Sequence, residues 1–495
     1  MLSTLKNRLA HVKLLSIAIP LILANITTPL LGLVDTAILG RMDGLHYLAG
    51  AAIGSLILTQ LYWVCGFIKM SMTGLSAQGR SQSSLTSIKT LVQGGFLALL
   101  LALIVLIVQQ PFLQAGLWFA QAEPQVVQST MDYFYVRVWG APAALVNLAI
   151  IGWLIGQQKG RLILGLQVFV NVMNIAASLM FVYVLDMGVA GVAAGTLVAE
   201  YSMTIVSLIW IYRRYWVSVW ASSDIRGENG LLEGDEIGKW FALKALKPLL
   251  SLNSNILIRN LALQFTLAFV TLKGAQYGTQ AAAVNAILMQ FFALIALGLD
   301  GIANAVEALV GEARGNEDTQ RSNQNGDTQR SNQNEDTQRS NQNQNEDTQP
   351  SNQHPPLNLK RQVHLGMFWS SIIACLYTLV FIIGTQDIVS ILTDQKSLIL
   401  ATMSYKWLIL MLPLIAHWCF LFDGVYVGLT LGKIMRNNML ASSTLAFIPV
   451  YWFFIELGNS ALWIAMLAFL SARGSGLACH FYWRVLPAQQ AQKSR

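Results

Sequence analysis

Twelve apolar stretches, each about as long as a bilayer is thick, dominate the sequence and constrain it more than any motif does. A helix needs about 20 mostly apolar residues to cross the hydrocarbon, because lipid offers its backbone no hydrogen-bond partner. The stretches fall near 14–39, 46–68, 90–113, 126–155, 162–184, 188–212, 245–272, 279–310, 362–386, 398–428, 434–456 and 459–483. Charged residues make up 12% of the chain and mean hydropathy is +0.51, whereas a soluble domain carries about 25% charged residues. That balance excludes a water-soluble enzyme, a disordered protein and a nucleic-acid binder. The expected fold class is therefore an all-α, multi-pass membrane protein. The first span starts after Lys6, Arg8 and Lys13, as a signal peptide would. It continues through Pro20, Asn25 and Pro29 to Asp35 without a small-residue cleavage site, so it is expected to stay as a mature helix. Cys65, Cys375, Cys419 and Cys479 all lie in apolar runs and suggest no disulfide framework.

The net charge of +7 forms no patch; the basic residues sort by side. With both termini in the cytoplasm, the inner short segments hold Lys6, Arg8, Lys13, Lys69, Arg80, Lys89, Lys159, Arg161, Lys433, Arg436, Arg484, Lys493 and Arg495. The outer connections hold only Arg41, Lys273 and Lys396. Positive charge favours the cytoplasmic side, which predicts twelve spans with both ends inside.

The halves repeat each other. Leu14-Leu15-Ser16 matches Leu249-Leu250-Ser251 at an offset of 235, and Arg80 matches Arg314 at 234. Further on, Pro142 matches Pro413 at 271 and Arg161 matches Lys433 at 272. The jump is close to the length of four nonapeptides, NEDTQRSNQ and variants, that begin at 316, 325, 334 and 345. The tract thus interrupts a duplicated six-helix unit. Six is even, so the copies are parallel repeats, an architecture of transporters with the substrate cavity between the halves. The expected divisions are an N-lobe at 1–215, an inter-lobe loop at 216–240 and the C-lobe at 241–312 and 359–495. The nonapeptide loop at 313–358 has almost nothing apolar to bury and is expected to be disordered.

Ionisable residues inside spans are costly and so are functional candidates. Asp35, in Gly32-Leu33-Val34-Asp35-Thr36-Ala37, stands out, because no base neighbours it in sequence. Desolvation disfavours its anion, so it can take up a proton from outside; pairing with Arg137 is the alternative. On the fifth span, Asn171, Asn174 and Ser178 share one helix face, and on the sixth Thr196 and Glu200 lie four apart. Small residues from Gly188 to Gly195 allow the close approach that would bring these polar atoms toward Asp35. Pro20 and Pro29 give the first helix bending points. Asp423 is the nearest second-half carboxylate, divided between gating and structural pairing, and Glu307 and Glu312 read as a solvated face. Dispersed histidines, with no HExxH and no glycine-rich phosphate loop, give no enzyme or metal signal.

The stretch Pro29 to Gly40, PLLGLVDTAILG, together with Met72-Thr73-Gly74-Leu75-Ser76-Ala77-Gln78 and FDGVYVGL at 422–429, resembles multidrug and toxic compound extrusion (MATE) transporters, most closely the DinF-type branch. The resemblance covers the chain except the nonapeptide tract. It implies a V-shaped, alternating-access exporter of drugs or metabolites driven by protons or sodium. By resemblance, the family's first-helix aspartate falls on Asp35, its bending proline on Pro20, its asparagine on Asn174, its threonine on Thr196 and its fourth-helix tyrosine on Tyr133. Where fuller cation sites carry a second aspartate, this chain has Ser178, which removes a hard oxygen ligand and tilts the reading toward protons; Glu200 could compensate.

The expected protein is a monomeric, multi-pass exporter of the bacterial inner-membrane type. It needs no cofactor, has H+ or else Na+ as coupling ion, and takes amphipathic, cationic small molecules as substrates. A sodium-coupled exporter, a lipid-precursor flippase and a membrane-embedded enzyme are the alternatives.

Overall fold

The computed structural model describes residues 8–42, 44–216, 238–335 and 359–488. The first six helices are α1 (Arg8–Leu39), α2 (His46–Arg80), α3 (Ser84–Ala120), α4 (Pro124–Gly156), α5 (Gly160–Val184) and α6 (Gly188–Tyr215). The second six are α7 (Gly238–Gln276), α8 (Thr279–Glu335), α9 (Leu359–Leu392), α10 (Lys406–Gly428), α11 (432–453) and α12 (Asn459–Ala488). Eleven of these, among the described residues, are long and apolar enough to cross a membrane. The twelfth, α11, is interrupted at mid-length by a π-turn at Ser442–Phe447. The molecule is thus the expected twelve-helix, two-lobed membrane protein.

Local chemistry sets the helix ends. The Ser83 hydroxyl accepts from the Thr86 amide and caps α3, and Pro124 opens α4, where a missing amide costs nothing. The α4–α5 and α10–α11 breaks are tight turns on Gln158 and Thr430, both left-handed, with φ of 58° and 55°. Two apolar cores form, one filling the first lobe and running on into the second, the other confined to the second lobe. Met72, Phe134 and Trp153 are buried in the first, and Phe291, Phe381, Trp463 and Phe469 in the second. α8 joins them, lying against α9 and α10 of its own lobe and against α1 and α2 of the other.

Several helices run a few residues past their expected bounds, and two run furthest. α2 runs on to Arg80, carrying Lys69 inside a helix rather than in a loop, because Ser71, Thr73, Ser76 and Ala77 are buried by protein instead of by lipid. α8 continues to Glu335, so the first part of the nonapeptide tract is helical where disorder was expected. Adding residues to an existing helix avoids the cost of nucleating a new one. The start of the extension is supported by the Arg314–Asp318 ion pair at 3.4 Å and by Thr319 donating to the Gly315 carbonyl. Residues 336–358, and 217–237 of the inter-lobe loop, lie outside the described residues.

Candidate functional site

α1, α5 and α6 converge on one polar cluster. Gly195 makes the approach possible, since a methyl group there would come 2.2 Å from Ser178 Oγ. The Asn174 side-chain amide donates to Thr196 Oγ1 at 2.9 Å. The Thr196 hydroxyl faces two acceptors, the Val192 carbonyl at 3.2 Å and Asp35 Oδ2 at 3.4 Å. A hydroxyl carries one proton, so it can serve one acceptor at a time. Around this bridge, Asp35 Oδ1, Asn174 Oδ1, Ser178 Oγ and Asn171 Oδ1 are buried oxygens with no hydrogen-bond partner within the protein. Nearly all buried polar atoms in proteins are paired, so such a group of orphans marks a place where something else binds. Asn171 also donates to the Thr27 carbonyl at 3.0 Å, tying α5 to the middle of α1. Beside the cluster a cavity of about 580 Å³ is lined by Val34, Ala37, Asn171, Ile175 and Tyr183, among others.

Glu200 and Arg137 are placed differently from expectation. Arg137 pairs with Glu200 and not with Asp35, in a two-pronged bond at 2.9 and 2.6 Å, and its guanidinium lies 5.7 Å above the Tyr62 ring. The planar guanidinium matches a carboxylate in this geometry, so both oxygens of Glu200 are occupied. Tyr133 is buried and packs on Gly54, where a methyl group would meet the ring at 2.8 Å. Pro20 is buried within a continuous α1.

In the second lobe Asp423 sits between two arginines. Arg259 donates to its Oδ2 at 2.5 Å, and Arg473 bonds the same oxygen. Of the solvated face expected at Glu307 and Glu312, only a partial exposure of Glu312 remains. Glu307 is 4% exposed. The Glu312 side chain accepts from Lys13 Nζ and from Gln158 Nε2, both at 2.8 Å. Both carboxylates face the other lobe, a surface that helical periodicity cannot tell from a watery one. Gln78 and Gln158, which also bridge the lobes, were not among the candidate site residues, Gln78 entering only as part of a family-like motif, because neutral residues in loop-like surroundings carry no charge signal.

The chain as a whole is similar to known proteins. The MatE family model matches residues 20–180. DNA damage-inducible protein F of Escherichia coli is 32% identical over 94% of this chain and 92% of its own length. The probable multidrug resistance protein NorM of Shewanella oneidensis is 28% identical over 40% of this chain and 44% of its own. Among solved structures, a mutant of the Vibrio cholerae MATE transporter VcmN covers 100% of this chain and 99% of its own, with a TM-score of 0.74 at 16% identity. A MATE-family multidrug resistance transporter in an outward-facing conformation covers 98% and 97%, with a TM-score of 0.71 at 14% identity. With full-length similarity at that identity to the Escherichia coli protein, over a fold that matches solved transporters end to end, the chain belongs to the MATE family of multidrug and toxic compound extrusion transporters, in its DinF-type branch.

Proposed function

We propose that this transporter exports amphipathic, cationic compounds from the cytoplasm by proton antiport, with Asp35 as the proton carrier. The observation that carries the reading is the Thr196 hydroxyl, poised between Asp35 and the Val192 carbonyl. When Asp35 is ionised, its charge draws the Thr196 proton away from the carbonyl, and the site presents a carboxylate able to hold a cation. A proton arriving from the outside neutralises Asp35. Thr196 then returns its hydrogen to Val192, and the carboxyl hydrogen finds the Asn174 Oδ1 that had no partner. The altered contacts between α1 and α5–α6 allow α1 to bend near Pro20, which lacks the amide that would hold the turn. Cargo leaves outward, and after inward opening the proton leaves to the cytoplasm. The basic residues of the short inner loops support placing both termini there.

The energetics suffice. One charge falling through 100 mV yields about 2.3 kcal/mol, and about 1.4 kcal/mol is tenfold in an equilibrium, so a force of about 150 mV sustains a gradient of roughly 300-fold per proton. A lipid-linked polyanionic cargo fits poorly, because Arg137 is taken by Glu200, and Arg259 and Arg473 by Asp423. Sodium is the second reading, favoured by the amide and hydroxyl oxygens of Asn171, Asn174 and Ser178 grouped near one carboxylate.

Dye efflux from proteoliposomes under an imposed pH gradient, with and without sodium, tests the proposal. Efflux should follow the pH gradient, ignore sodium and vanish in Asp35→Asn. Transport driven by sodium alone would replace the coupling ion, and an Asp35→Asn variant as active as wild type would remove Asp35 from the mechanism.

A further inference from the structure

The same sequence duplication that built the two lobes has left a pair of matching polar contacts where they meet. On the α2–α8 repeat, Gln78 and Glu312 are separated by the same 234 positions as Arg80 and Arg314. On the α4–α10 repeat, Gln158 and Thr430 are separated by the same 272 positions as Arg161 and Lys433. Gln158 and Thr430 are also the two left-handed residues that turn α4 into α5 and α10 into α11. The structure joins these residues crosswise. Gln78 of the first lobe donates to the Gly428 carbonyl at 2.9 Å and to Thr430 Oγ1 at 3.2 Å in the second. Glu312 of the second lobe accepts from Gln158 of the first at 2.8 Å.

Small residues hold the backbones close at this point. A methyl group on Gly74 would lie 2.2 Å from the Val427 carbonyl oxygen, one on Gly311 would lie 2.5 Å from Ala77 Cβ, and one on Gly315 would lie 2.3 Å from the Gln78 carbonyl oxygen. The polarity of each contact is matched to its partner. Gln78 offers amide hydrogens to a carbonyl and a hydroxyl, whereas Glu312 has only acceptor oxygens and receives an amide. The copies differ in charge. Glu312 also accepts from Lys13 Nζ at 2.8 Å and lies 3.8 Å from Arg80 Nε, and the repeat position of Lys13 is occupied by Pro248. Arg80 is itself fixed to the first lobe by donating to the Gln157 carbonyl at 2.7 Å.

We infer that Gln78 and Glu312 are gating residues, the two halves of a pseudo-symmetric latch that holds this end of the cleft shut, one half neutral and the other ionic. The contacts of Gln78 and of the Glu312 carboxylate all join lobe to lobe, so every one of them must break when the cleft opens on this side. Glu312 and Lys13 are partly exposed, with side-chain accessibilities of 14% and 40%, so the ionic half is open to screening by salt while the neutral half is not. The latch therefore has one salt-sensitive arm, supplied by the substitution of glutamate for glutamine between repeats.

The experiment is a spin-label distance measurement across this end, on the full chain in lipid with no substrate and no gradient. Labels go on Gln82→Cys and Asn437→Cys, both exposed, in a background where the exposed Cys375 and Cys479 are serine. Glu312→Gln keeps an acceptor for Gln158 and removes the charge; Gln78→Ala removes the neutral arm. Each should raise the ratio of open to closed distances about tenfold. Raising salt from about 0.05 to about 0.5 M should open wild type and Gln78→Ala further but leave Glu312→Gln unmoved. Gln78→Glu, which keeps the length and reverses the polarity, should behave as Gln78→Ala. Unchanged distances in both Glu312→Gln and Gln78→Ala, a salt response that survives in Glu312→Gln, or a closed Gln78→Glu would each overturn the latch. Because no ion gradient enters, the result stands apart from whether Asp35 carries the proton.

Discussion

At the scale of single residues, two carboxylates within the helices are held in opposite ways. Asp423 has two arginines on one oxygen, whereas Asp35 has a long contact from a shared hydroxyl and one oxygen with no partner. Removing one partner of a buried ion pair leaves uncompensated charge and costs about 3–5 kcal/mol. Asp423→Asn should therefore lower the thermal unfolding temperature in detergent markedly, and Asp35→Asn should barely move it while abolishing transport. Thr196→Val keeps the shape and deletes the bridge. It should reduce proton-driven efflux at least about tenfold, the loss of one hydrogen bond to a charged group, with cargo binding preserved; equal losses in binding and efflux would make Thr196 part of the drug site. The members of this cluster were legible in the sequence because they lie at helical spacing on two short segments next to a first-helix aspartate. The partners of Arg137 and Asp423 were not. Glu200 lies 63 residues from Arg137, and Arg259 lies 164 residues from Asp423. Scarcity of charge marks all four as noteworthy, but only the packing of helices decides who meets whom.

At the scale of elements, the proposed cycle asks α1 to move and the α5–α6 pair to stay. α1 runs unbroken from Arg8 to Leu39 with Pro20 and Pro29 inside it, so its turns at both points lack a hydrogen bond. Restoring that bond with Pro20→Ala stiffens the helix by an interaction of about 1 kcal/mol. The variant should fold normally and bind dye, yet turn over several-fold more slowly in the proteoliposome assay; wild-type turnover would remove Pro20 from the cycle. α5 and α6 touch through Gly195 and Ser178, where even a methyl group overlaps. Gly195→Val should separate the helices, break the Asn174–Thr196 bond and abolish coupling, visible as efflux that no longer follows pH. The spans themselves were readable from hydropathy, since lipid imposes one rule on every residue that faces it. The exceptions are stretches whose solvent is protein. The second half of α2, polar enough to pass for a loop, is buried against α4 and α8, and α11 is broken within the membrane by a π-turn that no apolar count reveals.

At the scale of the whole molecule, the duplication predicts which parts can be removed. In the first lobe α2 passes to α3 through Ser81, Gln82 and Ser83 alone. The equivalent passage from α8 to α9 contains the nonapeptide tract, which begins at Asn316, just beyond Glu312 and Gly315. Deleting 316–353 would leave five residues, His354 to Asn358, between Gly315 and the start of α9. Six peptide steps span up to about 20 Å, and packed helices stand about 8–10 Å apart, so the shortened chain reaches without disturbing the lobe contact. The hydrogen bonds that join the lobes at this end, from Lys13, Gln158 and Gln78, all lie outside the deleted segment. Shortening a connection is favourable by only about 1–2 kcal/mol in loop-closure entropy, too little to trap either state. Efflux by the deletion variant should accordingly match wild type within about twofold. A larger loss, with the distances across the latch unchanged, would mean that the helical extension of α8 acts on transport through a partner and not through the latch.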